Sequence, residues 1–168
     1  MKKVNKLDYQ LIAVFSIIFF IIYIVLYTAG IGNKSRTVPQ LLLSGTVFMG
    51  MFFNDKVGAI FGFVAGALLD AVMADVICFN SIVLMLFGYF AGIVIKKALN
   101  NNFRTSIIVI TVSTVIYFLI KWAVLGFDKY FLRYSIPYSI FLTVIFSLPL
   151  YAIMYYFIKK RKDKKFSK

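Results

Sequence analysis

The chain has 168 residues, of which 62% are hydrophobic and only 15% are charged. A soluble domain is about half apolar and needs a polar surface, so this composition argues against a soluble fold and favours a surface covered by lipid. The net charge of +13 could suit nucleic acid, but no aromatic or glycine motif is interleaved with the basic residues, which argues against that partner.

Spans of ~20 apolar residues would fill most of this length. The predicted fold class is therefore an all-α integral membrane protein, a six-transmembrane-helix bundle that forms one transmembrane domain over residues 1–168. The predicted spans are approximately 11–28, 39–53, 57–76, 81–95, 105–125 and 136–158, followed by a basic cytoplasmic tail over 159–168. The first segment is longer than a typical signal peptide core and no clear cleavage site follows it, so we expect it to be retained.

The second predicted span is short, at ~23 Å by helical rise, which is less than the ~30 Å hydrocarbon thickness of a bilayer. We expect it to cross steeply, to be shielded by its neighbours, or to begin at the headgroups.

The third and fourth predicted spans carry glycines spaced four residues apart. Residues at this spacing stay on one helical face, so the glycines form a groove that lets another helix backbone approach closely. The groove could serve packing within the bundle, docking of a partner's helix, or both. Its residues are Gly58, Gly62 and Gly66 in the third span and Gly88 and Gly92 in the fourth.

Two charged residues lie deep inside predicted spans, Asp70 in the third and Lys121 in the fifth. Both lie at similar depths, ~20 Å and ~24 Å from the cytoplasmic end by helical rise. A buried charge in a membrane usually faces the bundle interior and has a partner, so we hypothesise that Asp70 and Lys121 face each other. In the alternative, Lys121 reaches the outer headgroups and Asp70 bonds to backbone or hydroxyl groups.

Asp75 and Asn80 flank the short turn between the third and fourth spans, and Cys78 lies between them. Because Asn is a favoured N-cap, we expect Asn80 to cap the fourth helix. Cys78 is the one cysteine of the chain, and we interpret it as a small apolar residue.

Orientation follows from the distribution of Lys and Arg. With the N-terminus in the cytoplasm, fourteen basic residues lie in the inner segments and four in the outer loops, and seven of the fourteen lie within the last ten residues. This bias predicts a bacterial cytoplasmic membrane protein with both termini in the cytoplasm. The basic tail is expected to contact anionic lipids, at about 1 kcal/mol per charge near the surface.

Residues for catalysis are scarce. The chain has no His and no Glu, it has no nucleotide-binding glycine loop, and it lacks a Ser–His or Cys–His pair. Asp70 and Asp75 alone do not make a catalytic dyad. The sequence therefore predicts neither an enzyme nor a cofactor or metal site.

The middle of the chain carries three motifs, a Pro-x-Leu-Leu start, a glycine-rich helix that ends in Leu-Leu-Asp, and a Gly-Tyr-x-Ala-Gly helix. They stand at Pro39–Leu42, Gly58–Asp70 and Gly88–Gly92. With these motifs, residues 38–95 resemble the MreD family of rod-shape-determining membrane proteins. Cys78-Phe79 occupy the place where family members often carry Leu-Gly.

This resemblance implies a non-enzymatic scaffold of the cell-wall elongation machinery. The implied partners are MreC, reached through its transmembrane helix, the MreB filaments, and the peptidoglycan polymerase and transpeptidase of the sidewall. The resemblance also implies a fold similar to the substrate-binding subunits of energy-coupling-factor vitamin transporters.

That similarity supplies the alternative function, a small-molecule uptake subunit. Such a subunit needs several polar groups in an outer pocket, and outside the spans this sequence offers few. Its first span also lacks the Ala-x3-Ala pattern common in those subunits, since Ala13 and Ala29 do not fit it. A channel or transporter that acts alone is disfavoured because no helix is lined with polar residues.

Overall fold

The computed structural model describes residues 6–28, 40–73, 78–97, 103–125 and 136–166. All regular secondary structure within these ranges is helical. The six helices are α1 (Lys6–Thr28), α2 (Leu41–Phe52), α3 (Asp55–Met73), α4 (Phe79–Lys97), α5 (Phe103–Leu125) and α6 (Ile136–Phe166).

Each predicted span corresponds to one of these helices, although residues 39 and 74–76 lie outside the described ranges. At the C-terminal end, α6 runs through Pro149 and continues as far as Phe166, so most of the basic segment is helical and extends the last helix.

The helices differ in apolar length. Within the described ranges, Phe103–Val124 and Pro137–Ile158 are long and apolar enough to cross a membrane, whereas Gln10–Val25, Leu41–Phe52 and Phe79–Ile95 are shorter apolar stretches. By length and composition alone, α5 and α6 are therefore the two helices that meet the requirement for a span.

Helix α2 lies at the centre of the bundle. Every residue from Leu41 to Met51 is buried, and the helix contacts each of the other five. A helix that is apolar on all sides is stable only when it is surrounded. Of the three explanations for its short length, the structure supports shielding by neighbours.

The other five helices form a ring around α2. Going round the ring, α1 is followed by α3, α4, α5 and α6, and α6 returns to α1. The joining contacts are Phe20–Phe61, the glycine contact of α3 with α4, Asn80–Tyr117, Phe103–Tyr151 and Phe15–Phe157.

The outer side of the ring is apolar on every helix. Large hydrophobic side chains are exposed there, including Ile21 on α1, Phe63 on α3, Phe90 on α4, Val112 on α5 and Phe141 on α6. Soluble monomers rarely expose continuous apolar areas of more than a few hundred Å². Acyl chains of a bilayer suit such a surface.

Candidate functional site

The carboxylate of Asp70, in the last part of α3, receives four hydrogen bonds from the start of α4. One oxygen accepts the Asn80 backbone N–H at 2.9 Å and the Asn80 side-chain amide at 2.8 Å. The other accepts the Ser81 backbone N–H at 3.0 Å and the Ser81 hydroxyl at 2.6 Å. A carboxylate offers about four acceptor positions, so these bonds satisfy it.

These bonds give Asp70 the role of a helix cap supplied by a neighbouring helix. The first backbone N–H groups of any α-helix have no partner within that helix, and Asn80 and Ser81 lie in the first turn of α4. The negative charge of the carboxylate also complements the positive end of the helix dipole. Asp70 therefore stabilises the N-terminal end of α4, both by hydrogen bonding and by its negative charge.

The expectation that Asn80 caps α4 is wrong. The helix begins at Phe79, and the Cys78 carbonyl accepts the Ile82 N–H at 3.1 Å. Asn80 is thus already inside the first turn, where its backbone and its side chain both donate to Asp70. The local rule for N-caps failed because the capping carboxylate comes from another helix.

Asn80 extends the network to α5. Its side-chain oxygen accepts the hydroxyl proton of Tyr117 at 2.6 Å, and both residues are buried. The direction of each bond is fixed because an ionised carboxylate only accepts. The amide nitrogen must face Asp70, so the amide oxygen faces Tyr117 and the hydroxyl donates. One side chain thereby joins α3, α4 and α5.

The glycines of α3 explain how the carboxylate comes within reach of α4. A Cβ atom at Gly66, one turn before Asp70, would overlap the Asn80 carbonyl and the Ser81 Cα. Only hydrogen at this position allows the start of α4 to lie so close. Gly66 thus lets the two backbones approach, and Asp70 then bonds to the start of α4.

The same close approach repeats along the antiparallel pair of α3 and α4. A Cβ at Gly62 would overlap the Leu84 carbonyl, one at Gly58 the Gly88 carbonyl, and one at Gly92 would lie 2.5 Å from the Asp55 Cα. Moving four residues toward the N-terminus of α3 corresponds to moving four residues toward the C-terminus of α4. This register holds Asp70 opposite the first turn of α4.

All five predicted groove glycines are buried between α3 and α4, so the groove is filled by helices of this chain. Sequence reasoning missed a sixth member, Gly50 of α2, whose Cβ would overlap the Gly88 carbonyl. A Cβ at Gly58 would lie 2.6 Å from the Gly50 Cα. Three helix backbones therefore meet at one point. The apolar run that forms α2 has two glycines, Gly45 and Gly50, and their spacing of five residues does not keep them on one helical face, so no repeated pattern marked Gly50.

Lys121 lies one turn beyond Tyr117 on α5 and therefore on the same helical face. The residue is 8% exposed, which places it inside the bundle and away from the outer wall. The four bonds described for Asp70 come from two backbone N–H groups, the Asn80 side-chain amide and the Ser81 hydroxyl. Direct pairing of Asp70 with Lys121 stays a prediction.

Other candidate residues add little to this site. Cys78 is exposed, with a φ of 61°, and Asp75 lies outside the described residues. Within the part of the chain that the structure describes, no group of three or more His, Cys, Asp or Glu side chains is placed to hold a metal ion.

The fold and the site together define an all-helical bundle with an apolar exterior, in which a half-buried acid organises helix packing. The family model described as rod shape-determining protein MreD matches residues 8–161. The chain therefore belongs to the MreD family, a family of membrane proteins. No curated protein and no solved structure matches the chain significantly.

Proposed function

We propose that this protein is a non-enzymatic membrane scaffold of the bacterial cell-wall elongation machinery, and that it maintains rod shape by holding MreC and the sidewall peptidoglycan synthases together. Membership of a rod shape-determining family supports the general role. The use of Asp70 as a helix cap supports the non-enzymatic part. Its carboxylate is occupied by Asn80 and Ser81, which leaves it a structural task.

We further propose that all six helices are embedded in the cytoplasmic membrane and that both termini lie in the cytoplasm. The apolar exterior of the ring supports embedding of the whole bundle, including the helices that are short by themselves. The excess of Lys and Arg in the predicted inner segments supports the orientation.

The filled glycine groove changes where a partner would dock. Because α4 occupies the groove, the transmembrane helix of MreC would pack on the outer wall of the ring. Exposed apolar side chains there, such as Ile60 and Phe90, present a surface on which a second helix can pack. The basic end of α6 would contact anionic lipid or the MreB filaments.

Two measurements test this proposal. In cells depleted of the native gene, expression of the chain should restore rod shape, and MreC should co-purify with it from native membranes. A chain that leaves the cells round and retains no MreC would contradict the scaffold role. Tight binding of a vitamin by the purified protein, without any effect on cell shape, would favour the uptake subunit.

A further inference from the structure

Helix α6 contains a proline in its interior. Pro149 lies within the helix that runs from Ile136 to Phe166, and proline has no backbone N–H to donate. The carbonyl of Ile145, four residues earlier, therefore lacks the donor that the α-helical pattern would give it. In a membrane this lack is costly, because hydrocarbon offers no hydrogen-bond donor to a backbone carbonyl.

The Ile145 carbonyl lies on the outer wall of the ring. A helix carbonyl points along the axis toward the residue four positions later, so this one lies between the side chains of Ile145 and Pro149. Ile145 is 43% exposed, and Pro149 is exposed as well. The carbonyl that needs a donor is thus on a face that the described helices of this chain do not cover.

The described hydroxyl groups of α6 donate to other carbonyls. In membrane helices, a Ser or Thr side chain can donate to a carbonyl that a proline has freed. Ser147, the hydroxyl residue nearest to Ile145 on this helix, donates to the Val144 carbonyl at 2.7 Å. Thr143 donates to the Ser139 carbonyl at 2.7 Å. Both hydroxyl residues are buried, on the side of α6 away from the exposed carbonyl.

The surface around this carbonyl has the shape that a second helix needs. Pro149 and Ala152 are exposed and lie between two larger exposed side chains, Ile145 and Tyr156. Their spacing of four, three and four residues keeps all four on one helical face. Small side chains between large ones let another helix backbone approach closely. We call these four residues the α6 notch.

We propose that the α6 notch binds a transmembrane helix of another membrane protein, and that this helix carries a Ser, Thr or Asn side chain that donates to the Ile145 carbonyl. Acyl chains of lipid could fill the notch but have no donor. The chemistry of the freed carbonyl therefore favours a protein helix with a polar side chain at this depth.

A second copy of this chain fits the notch less well. Two copies that packed through α6 about a two-fold axis along the membrane normal would bring equal depths together. The exposed residues of α6 beside the carbonyl are Pro149, Ala152 and Ile153, and none has a side-chain donor. The inference rests on the membrane embedding in the proposed function. It adds a docking face on α6, and a scaffold that holds several proteins requires more than one such face.

Photocrosslinking in native membranes identifies the occupant. The full chain carries a photoreactive benzoylphenylalanine in place of Ala152, and mass spectrometry identifies the crosslinked peptide. We expect a transmembrane segment of another protein, with a Ser, Thr or Asn within one helical turn of the crosslink. The same probe in place of Val112, an exposed apolar residue of α5, should give several-fold less of this adduct.

Two proline variants test the role of the carbonyl. Pro149→Ala restores an N–H that can donate to Ile145 within α6, so the adduct from position 152 should fall several-fold while the unfolding midpoint of the purified protein rises. Pro137→Ala is the matched control, because Pro137 lies in the first turn of α6, where an N–H has no partner within the helix. It should change neither quantity.

Removal of the donor from the crosslinked segment separates the hydrogen bond from the bend that a proline introduces. Replacing that Ser, Thr or Asn by an apolar residue should lower the adduct several-fold when Pro149 is present. It should have little further effect in the Pro149→Ala protein, where the carbonyl is already satisfied.

The inference fails if position 152 crosslinks only lipid or a second copy, or if the crosslinked segment has no such donor. Equal yields from positions 152 and 112, or equal effects of the two proline variants, would also overturn it. The scaffold role is judged separately by MreC. Retention of MreC without any protein adduct at position 152 would contradict the notch alone, whereas the expected adduct without retention of MreC would contradict the MreC assignment alone.

Discussion

The Ser81 hydroxyl at the start of α4 donates to the Asp70 carboxylate of α3 at 2.6 Å, and the Ser81 backbone N–H donates to the same oxygen at 3.0 Å. The two residues lie on opposite sides of a short turn. Their contact fixes the register of the glycine-packed pair of helices, since a slip of one residue would remove the amides from the carboxylate. This relationship leads to the first prediction.

Asp70→Asn should destabilise the protein strongly. The new NH₂ group replaces one carboxylate oxygen and faces two groups that are themselves donors, so two N–H or O–H groups lose their acceptor. Hydrogen bonds to charged groups contribute about 1.5–3 kcal/mol each, and we expect a total loss of roughly 3 kcal/mol. Thermal unfolding of the purified protein in detergent measures the change.

Ser81→Ala removes only the hydroxyl bond and should cost about 1–2 kcal/mol. Asp163→Asn, in the basic end of α6, serves as the control for removal of a carboxylate. An Asp70→Asn variant as stable as Asp163→Asn would contradict the capping role.

Tyr117→Phe should weaken the connection between α4 and α5. The substitution leaves the Asn80 side-chain oxygen without its described donor, at a cost of about 1 kcal/mol. Tyr138→Phe is the matched control, because Tyr138 is 56% exposed and its loss should change the midpoint little. Equal midpoints for the two variants would show that the hydroxyl bond contributes no stability.

A side chain at Gly62 should disrupt the contact of α3 with α4. Its Cβ would overlap the Leu84 backbone carbonyl, and backbone cannot move aside as a flexible side chain can. Overpacking typically costs 1–3 kcal/mol and occasionally more, and we expect Gly62→Leu to reach or exceed about 3 kcal/mol.

The control for Gly62→Leu is Ala67→Leu, on the exposed side of the same helix. It adds a side chain of the same size where lipid or detergent can accept it. Size-exclusion chromatography and thermal unfolding should show a folded Ala67→Leu protein and a destabilised Gly62→Leu protein. Similar behaviour of both variants would indicate that the glycine contact tolerates repacking.

Cys78→Gly should stabilise the turn before α4. Cys78 adopts a φ of 61°, a left-handed conformation that costs a residue with a Cβ atom about 1–2 kcal/mol and costs glycine little. We expect a gain of about 1 kcal/mol, because the greater freedom of glycine in the unfolded chain offsets part of the relief. Cys78→Ala retains the Cβ and should show no gain. A Cys78→Ala protein as stable as Cys78→Gly would refute this cause.

Labelling of Cys78 tests the proposed orientation. This single cysteine is exposed and lies in the turn predicted to face outward. A membrane-impermeant maleimide should therefore label it in intact cells. In a Cys78→Ser background, a cysteine at Ser167 in the predicted cytoplasmic tail should react only after the cells are permeabilised. The reverse pattern would show that the termini lie outside.

Hydrophobic runs and residue spacing predicted much of this fold. The spacing of Gly58, Gly62 and Gly66 indicated a close helix contact, and the position of Asp70 within an apolar run indicated a buried acid with a partner. Both features lie within one helix, so they can be recognised without knowing which helices are neighbours.

What could not be predicted depends on contacts between distant segments. Tyr117 lies in an apolar run where a tyrosine is unremarkable, and nothing local connects it with Asn80. The Asn80 prediction failed for the same reason, since rules for caps consider only adjacent residues. The sequence left three explanations for the short length of α2, of which shielding by neighbours was one. It could not choose among them, because the burial of a helix depends on the arrangement of all the other helices.

The central position of α2 has a consequence for biosynthesis. Its final neighbours include α5 and α6, which follow it in the chain, so in the proposed membrane arrangement α2 would enter the bilayer well before these neighbours are made. A helix of 12 residues is too short to remain stably across a bilayer by itself. We therefore expect α2 to insert as a hairpin with α3 and to reach its final environment only after α5 and α6 have been made. A chain truncated before α5 should therefore leave α2 incompletely covered.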